Sequence, residues 1–237
     1  MRRRERYDPR MSSPLPILFE DEHMVAVNKP AGLLSVALPQ RSDANLADLV
    51  ARRARTRGEH AHAVHRLDRE TSGVVVFAKS DAAKAALDDA FRGRAVHKHY
   101  LALVHGRPRP AEGTIRSFIR DQGAHATSSR APMPGGKSAI THYRVLEQFA
   151  EAALVACEPE TGRFNQIRLH FVDRGHPLVG ERKCAVASRF PLRFKRFVLH
   201  ARRLELPHPI TRAPLVIDAP LPHDVDELLT RLRTARA

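Results

Sequence analysis

Residues 65–79 carry the most informative pattern in the chain and read His65-Arg66-Leu67-Asp68-Arg69-Glu70-Thr71-Ser72-Gly73-Val74-Val75-Val76-Phe77-Ala78-Lys79. The β-branched run at the end is typical of a buried strand that is entered through a tight Ser-Gly turn. Asp68 is therefore expected on a loop anchored to a rigid element, where catalytic groups are commonly held. Arg66 and Arg69 flank Asp68 and favour its ionised form, which suits a nucleophile. The alternative is an aspartate that only caps a turn or pairs with a surface arginine.

The composition indicates a polyanionic partner. The chain has 237 residues, with Lys+Arg 40 against Asp+Glu 26 and a formal net charge of +14. A charge of this size favours binding to nucleic acid or to an acidic membrane surface. We see no apolar segment that could span a bilayer and no leader pattern, and we expect a cytoplasmic protein that is not inserted in a membrane. Cys157 and Cys184 have no zinc-site spacing and fit a reducing compartment.

The remaining sequence predicts an α+β chain dominated by strands. Residues 1–16 are rich in arginine and are predicted to be a disordered basic tail, and residues 17–237 are predicted to form one domain. Short connections favour mostly antiparallel pairing. Strands are expected at 17–20, 24–29, 74–79, 100–104, 114–120, 138–149, 152–157, 197–206 and 215–219, and helices at 45–57, 82–92, 164–173 and 225–233.

Two patterns suggest other chemistries. Residues 131–138 approach a phosphate-binding loop, but Ala131 replaces the first glycine and β-patterned residues follow where a helix would be needed. His60, His62 and His65 have the spacing of a dinuclear metal site, but Val64 stands where such sites carry an acidic residue. Nucleotide hydrolysis is therefore disfavoured, and a metallohydrolase is kept as a third interpretation.

The segment 162–170 contains further candidate residues. Its helical spacing places Arg163, Gln166 and His170 near one face and directs Arg168 elsewhere. An ordinary amphipathic helix with a solvated basic side would give the same pattern.

Several blocks of the sequence resemble, in the right order, the RluA-type family of RNA pseudouridine synthases. No single block would suffice, but together they cover nearly all of the chain after residue 16. They are Ile17-Leu18-Phe19-Glu20-Asp21, Val27-Asn28-Lys29-Pro30-Ala31-Gly32-Leu33, the motif at 65–79, Lys98-His99-Tyr100-Leu101-Ala102-Leu103-Val104-His105-Gly106, Thr141-His142-Tyr143-Arg144-Val145-Leu146, Gln166-Ile167-Arg168-Leu169-His170, His176-Pro177-Leu178-Val179-Gly180 and Leu199-His200-Ala201.

The resemblance implies a pseudouridine synthase fold, with a central, mostly antiparallel mixed sheet and flanking helices and loops. It implies isomerisation of specific uridines in RNA to pseudouridine, with no cofactor and no metal. Asp68 matches the catalytic aspartate of the family, and Arg66 matches an arginine that holds the RNA open after the uridine has flipped out. Tyr100 matches the tyrosine that packs against the target base. Arg168 matches the arginine that pairs with the catalytic carboxylate.

The sequence departs from the family pattern at two places. Phe164-Asn165 stands where the family has Thr-His, and Glu181-Arg182-Lys183-Cys184-Ala185 replaces an Asp and a Tyr-Gly. We expect these changes to leave the catalytic set intact and to alter the rim that selects the RNA.

The expected partner is RNA, and the expected oligomeric state is a monomer without an obligatory protein partner. We expect no small S4-type RNA-binding module before Ile17, and the resemblance implies that this short layout suits compact stem-loops in tRNA or rRNA. The runner-up interpretation is a catalytically inactive RNA- or ribosome-binding protein on the same fold. The joint presence of Asp68, Tyr100 and Arg168 argues against it.

Overall fold

The computed structural model describes residues 15–38, 43–123, 125–182, 190 and 192–235. In chain order its elements are β1 (Ile17–Glu20), β2 (Met24–Lys29), α1 (Leu46–Arg55), β3 (His62–Ala63), β4 (Ser72–Ala78), α2 (Asp81–Arg92), β5 (His97–His105), β6 (Glu112–Asp121), β7 (Ala126–Ser129), β8 (Lys137–Gln148), β9 (Ala152–Pro159), α3 (Gln166–Asp173), β10 (Leu199–Pro207), β11 (Pro214–Asp218) and α4 (His223–Thr234).

The chain divides into two compact units, and each is described by itself. The first comprises Met1–Val96 and Ala201–Pro220, and the second comprises His97–His200 and Leu221–Ala237. Most of the predicted basic tail, residues 1–14, lies outside the described residues, as do Lys183, Cys184 and Ala185. The assignment of residues 17–237 to one domain stays a prediction.

The first unit is built on antiparallel pairs of strands. β2 pairs with β1 and with β4, β3 pairs with the end of β4, and β10 pairs with β11. Every residue of β4 is buried, as its β-branched composition predicts. Side chains cap both helices, because Asn45 Oδ1 accepts from the backbone N of Asp48 and Ser80 Oγ accepts from the backbone N of Ala83. The apolar side of α2 then packs on β2, β4 and β10 through Ala83 and Leu87.

The second unit is an antiparallel sheet in the order β5-β9-β8-β6-β7. Two apolar clusters form around it. One joins β5, β8 and β9 to α3 through Ile167 and Phe171. The other joins β5 and β9 to α4 through Val225, Leu228 and Leu229. This arrangement fixes α3 on the sheet, and α3 is the helix that carries Arg168.

The α+β prediction with mostly antiparallel pairing is confirmed. All predicted strands and helices are present, and their ends differ from the predicted ones by at most three residues. The prediction missed β3 and β7, which are short and contain polar residues. An amphipathic α3 with a solvated basic side is wrong, because Gln166, Arg168 and His170 are all buried. None of the described helices is long and apolar enough to cross a membrane.

Gly73 allows β4 to approach β10 closely. Its φ is +117°, and a Cβ built on it would lie 2.2 Å from the carbonyl oxygen of Ala201. That separation is far below any van der Waals contact, and the backbone conformation is one that only glycine adopts readily. Glycine is therefore required at position 73 by the close approach of the Ala201 backbone as well as by the backbone conformation.

We expect Gly73→Ala to lower the free energy of unfolding by about 3 kcal/mol or more, because it combines backbone strain with a backbone clash. Urea denaturation followed by circular dichroism measures this quantity. Gly162→Ala is the matched control, since a Cβ at Gly162 would meet nothing within 4 Å. Equal stability of the two variants would contradict the close-approach argument.

Candidate active site

The loop that carries Asp68 connects β3 to β4 in the first unit. Arg66 is exposed, Leu67 is buried and Asp68 is half-buried. The backbone N of Thr71 donates to the carbonyl oxygen of Asp68 at 3.1 Å, which closes a tight turn immediately before Ser72 begins β4. Asp68 thus opens a turn that is fixed to a fully buried strand.

The hydroxyl of Ser35 holds the residue that precedes Asp68. Ser35 Oγ donates to the carbonyl oxygen of Leu67 at 2.8 Å and accepts from its backbone N at 2.9 Å. Ser35 and Leu67 are both buried, so water has little access to these groups. One side chain therefore satisfies both polar backbone groups of Leu67, and leaving them unpaired would cost about 1–3 kcal/mol for each group.

Lys29 and Gly32 hold the residue that follows Asp68. Gly32 N donates to the carbonyl oxygen of Arg69 at 2.8 Å, and Arg69 Nε donates back to the carbonyl oxygen of Gly32 at 2.9 Å. Lys29 is fully buried, and its Nζ donates to the carbonyl oxygens of Arg69 (3.0 Å), Leu33 (2.7 Å) and Pro30 (3.1 Å). The segment 29–35 consequently fixes the backbone on both sides of Asp68.

His65 anchors the start of the loop. Its Nε2 accepts from the backbone N of Val76 at 2.9 Å, and its ring stacks on Phe91 at 4.6 Å between centroids. His60 and His62 stack on each other at 6.4 Å. Within the described ranges, no group of three His, Cys, Asp or Glu residues is placed to hold a metal ion. His65 therefore has a structural role, because it accepts a hydrogen bond from the backbone of β4 and packs on Phe91 of α2.

Tyr100 and Arg168 belong to the second unit, whereas Arg66 and Asp68 belong to the first. Tyr100 lies on β5 opposite Cys157 of β9, is half-buried, and packs against the apolar cluster beneath α3. The Arg168 guanidinium lies 4.3 Å from the ring centroid of Phe197, which is part of the same cluster. The two candidate residues of this unit therefore border one apolar cluster.

Two acceptors orient the Arg168 guanidinium. Nε and Nη2 donate to the two carboxylate oxygens of Glu181 at 2.7 and 2.9 Å, and Nη1 donates to Asn165 Oδ1 at 2.5 Å. The side chains of Arg168 and Glu181 are 9% and 3% exposed, so this bidentate pair is shielded from water. A guanidinium has five N–H donors, and these contacts use three of them.

A buried polar network locks α3 to the sheet. Gln166 Nε2 donates to Thr141 Oγ1 at 3.0 Å, and His170 Nδ1 lies 2.9 Å from the same oxygen. His170 Nε2 lies 3.1 Å from Ser117 Oγ, and burial lowers the pKa of His170 to about 4, so the ring is neutral at physiological pH. The predicted shared face is confirmed for Gln166 and His170, whereas Arg163 precedes the first residue of α3. Arg168 leaves the helix in another direction.

The structure adds contacts and residues that the sequence did not suggest. Asn165 and Glu181, at the two departures from the family pattern, both contact Arg168. That these departures alter the rim that selects the RNA stays a prediction. A signal was present for Asn165, because it introduces an oxygen acceptor, whereas Glu181 keeps the carboxylate of the Asp that it replaces. Lys29 and Ser35 had no assigned role, since lysine is seldom buried and an isolated serine carries no periodic signal.

Comparison with known proteins adds an independent finding. The family model described as RNA pseudouridylate synthase matches residues 23–173. The dual-specificity RNA pseudouridine synthase RluA of Escherichia coli is 38% identical over 217 residues, which are 91% of this chain and 97% of that protein. The ribosomal large subunit pseudouridine synthase D of Xylella fastidiosa is 38% identical over 237 residues, which are 93% of this chain and 70% of that protein.

A solved structure shares the fold. The structure of human RNA pseudouridylate synthase domain containing 4 superimposes with a TM-score of 0.76 and 27% sequence identity, and the match covers 92% of this chain and 93% of the human one. The α+β arrangement described above is therefore the pseudouridine synthase fold.

We expect Ser35→Ala to lower the free energy of unfolding by about 1–3 kcal/mol, because it leaves buried backbone groups of Leu67 without a partner. The Leu67 amide should also exchange with deuterium at least about tenfold faster, which residue-resolved hydrogen exchange would detect. Ser138→Ala, at an exposed position, serves as the control. Unchanged protection of Leu67 in Ser35→Ala would show that the hydroxyl does not hold the loop.

Glu181→Gln is expected to lower the free energy of unfolding by about 3 kcal/mol, since it removes the carboxylate charge from a buried bidentate pair. Chemical denaturation measures the change. The control is Glu227→Gln, because Glu227 is exposed and its substitution should cost less than about 0.5 kcal/mol. A loss in Glu181→Gln no greater than in the control would contradict the shielded pair.

Proposed function

Because this chain belongs to the RNA pseudouridylate synthase family and is similar to RluA over nine-tenths of its length, we propose that it isomerises specific uridines of structured RNA to pseudouridine, with Asp68 as its catalytic group. The observation that carries the assignment to Asp68 is the fixed loop. Ser35 holds the residue before Asp68, and Lys29 and Gly32 hold the residue after it. A carboxylate on such a loop is pre-organised for a reaction at a bound nucleotide.

The reaction is an internal rearrangement. The bond between N1 of the uracil and C1′ of the ribose breaks, the uracil rotates, and a bond forms between C5 and C1′. A proton leaves C5 and a proton is taken up at N1, so the product is an isomer and no oxidant or reductant is consumed. Positive charge develops on the ribose as the first bond breaks, and an apposed carboxylate stabilises it or attacks it, as in glycoside hydrolysis.

The other candidate residues complete the proposed site. Tyr100 packs against the target base and is a candidate to remove the proton from C5. Arg168 pairs with the Asp68 carboxylate, which keeps it ionised and oriented. Arg66, exposed beside Asp68, holds the RNA open once the uridine has left its stack. The hydrogen bonds from Arg168 to Glu181 and Asn165 restrict the directions in which the arginine can point.

The proposed substrate is a stem-loop in rRNA or tRNA. The two relatives named above are a ribosomal large subunit enzyme and a dual-specificity RNA enzyme, and this chain spans nearly all of the second. We further propose that the protein acts as a monomer in the cytoplasm, without an obligatory protein partner, and that residues 17–237 form a single catalytic domain.

The decisive experiment is tritium release from RNA that carries 5-tritiated uridine, using unmodified rRNA and tRNA fragments. The wild-type protein is expected to release tritium. Asp68→Asn should lower the rate by at least about 10³-fold, because it removes the charge that the transition state requires. RNA binding, measured by fluorescence anisotropy, should be retained.

Asp226→Asn, at an exposed position in the first turn of α4, is the matched control and should release tritium like the wild type. RNA binding without release from any of the proteins would favour the inactive RNA-binding alternative. Equal release from wild type and Asp68→Asn would show that Asp68 is not the catalytic group, although the enzymatic assignment would stand.

A further inference from the structure

Thr71 closes the turn that begins at Asp68. Its backbone N donates to the carbonyl oxygen of Asp68 at 3.1 Å, and Ser72 then begins β4. Thr71 is only 2% exposed, and its Oγ1 is shielded from solvent. Among the residues that the structure describes, no group forms a hydrogen bond with this oxygen. A buried hydroxyl for which no described residue is a partner thus lies on the same turn as the proposed catalytic group.

The other buried threonines, Thr141 and Thr161, do have partners. Thr161 Oγ1 donates to Gln166 Oε1 at 2.7 Å, and Thr141 Oγ1 accepts from Gln166 Nε2 at 3.0 Å. Such contacts are the general rule for buried polar side chains. Thr71 departs from this rule, and its hydroxyl therefore calls for an explanation.

The Thr71 hydroxyl adds no stability to the folded protein. A buried hydroxyl has lost its hydrogen bonds to water, and without a partner that loss is not compensated. Valine has the same branched shape as threonine and would occupy the same space without this penalty. Folding alone therefore does not account for a hydroxyl at position 71.

The turn brings the Thr71 hydroxyl within reach of the Asp68 side chain. The Cα atoms at the two ends of such a turn are less than about 7 Å apart. Opposite residues of paired strands, at comparable separations, interact through their side chains. Rotation of threonine about χ1 exchanges the hydroxyl with the methyl group and needs no movement of the backbone. The hydroxyl can therefore turn toward the carboxylate while the loop stays in place.

The carboxylate of Asp68 has more freedom than its backbone. Ser35 and Lys29 fix the residues on both sides of Asp68, whereas Asp68 itself is half-buried. The proposed reaction requires one carboxylate oxygen to face C1′ of the ribose, and the other oxygen can then accept a hydrogen bond. A hydrogen bond to an ionised carboxylate is shorter and stronger than one between neutral groups. A donor on the same turn would consequently fix the direction of the carboxylate.

We infer that Thr71 is a positioning residue whose hydroxyl donates to the Asp68 carboxylate while that carboxylate faces the ribose of the bound RNA. Hydrogen bonds of catalytic groups are often long or poorly aligned in the free enzyme and tighten once the substrate is bound. In the free protein the hydroxyl has no bond to a described residue that must break before it turns. An interaction realised only during the reaction raises the rate of the chemical step. This inference rests on the proposed function, because it names a further residue that acts on the same reaction.

The test compares Thr71→Val with Thr71→Ser in the full-length protein, using tritium release from stem-loop RNA that carries 5-tritiated uridine. Thr71→Val removes the hydroxyl and should lower kcat by about 10- to 100-fold, the factor expected for one hydrogen bond to a charged group. KM should stay within about threefold of the wild-type value, because no contact to the RNA is lost. Thr71→Ser keeps a hydroxyl donor and should retain kcat within about threefold.

Urea denaturation separates a positioning role from a structural one. The urea midpoint of Thr71→Val should equal or exceed that of the wild type, since the variant removes a buried hydroxyl for which the structure describes no partner. Thr161→Val should lower the midpoint, because Thr161 Oγ1 donates to Gln166 Oε1 and accepts from the backbone N of Ile140. Thr127→Val, at an exposed position of β7, is the activity control and should release tritium like the wild type.

A slow but stable Thr71→Val together with an active Thr71→Ser supports the inference. Wild-type kcat in Thr71→Val would overturn it. A lower urea midpoint in Thr71→Val would overturn it as well, because the hydroxyl would then stabilise the fold. Equal losses of kcat in Thr71→Val and Thr71→Ser would also contradict it, since the rate would not follow the hydroxyl.

Tritium release from the wild type distinguishes this inference from the proposed function. Equal release from the wild type and Thr71→Val would remove only the role of Thr71 and leave that of Asp68 in place. An absence of release from the wild type would remove the proposed function, and this inference with it.

Discussion

The position of Asp68 depends on one buried ammonium group. Lys29 ends β2, is fully buried, and donates to three backbone carbonyl oxygens, including that of Arg69. An ammonium is costly to bury unless its donors are satisfied, and carbonyl groups in buried turns are costly unless they find donors. The ammonium and the carbonyl groups therefore satisfy each other's hydrogen bonds. Because β2 also pairs along its whole length with β4, the loop that carries Asp68 is tied to the sheet both through Lys29 and through the strand it enters.

A comparable constraint operates around Arg168. Replacing a buried ion pair by apolar residues is often neutral or stabilising, so the bidentate bond between Arg168 and Glu181 is weak evidence for a stabilising role. The conformation of Asn165 also indicates a role in orienting Arg168 and not in stabilising the fold. It occupies the N-cap position of α3 in the left-handed region, with φ 57°, and its side chain accepts from Arg168 and makes no capping hydrogen bond. The first turn of α3 therefore lacks a capping hydrogen bond, and the Asn165 side chain contacts the Arg168 guanidinium instead. This is consistent with a requirement to orient the guanidinium.

Periodicity predicted most of the fold but few of the contacts that build the site. Runs of apolar residues revealed the longer strands and all four helices, whereas β3 and β7 are too short to show a period. The contacts from Ser35 to Leu67 and from Lys29 to Arg69 join residues 32 and 40 positions apart, and no local pattern reports such pairs. Resemblance assigned candidate roles to Asp68 and Arg168 because it compares motifs position by position. It did not predict the contact from Arg168 to Glu181, because a departure from a motif does not reveal which side chain the new residue contacts.

The sequence alone could not show how the cations are used, because net charge does not distinguish three different environments. Lys29 donates to backbone carbonyl oxygens, Arg53 and Arg168 are paired with carboxylates, and Arg116 and Arg130 have no acidic partner among the residues that the structure describes. An exposed ion pair contributes at most about 1 kcal/mol to stability, so the folded protein loses little when an exposed arginine has no acidic partner. The fold can therefore leave such cations without counter-charges.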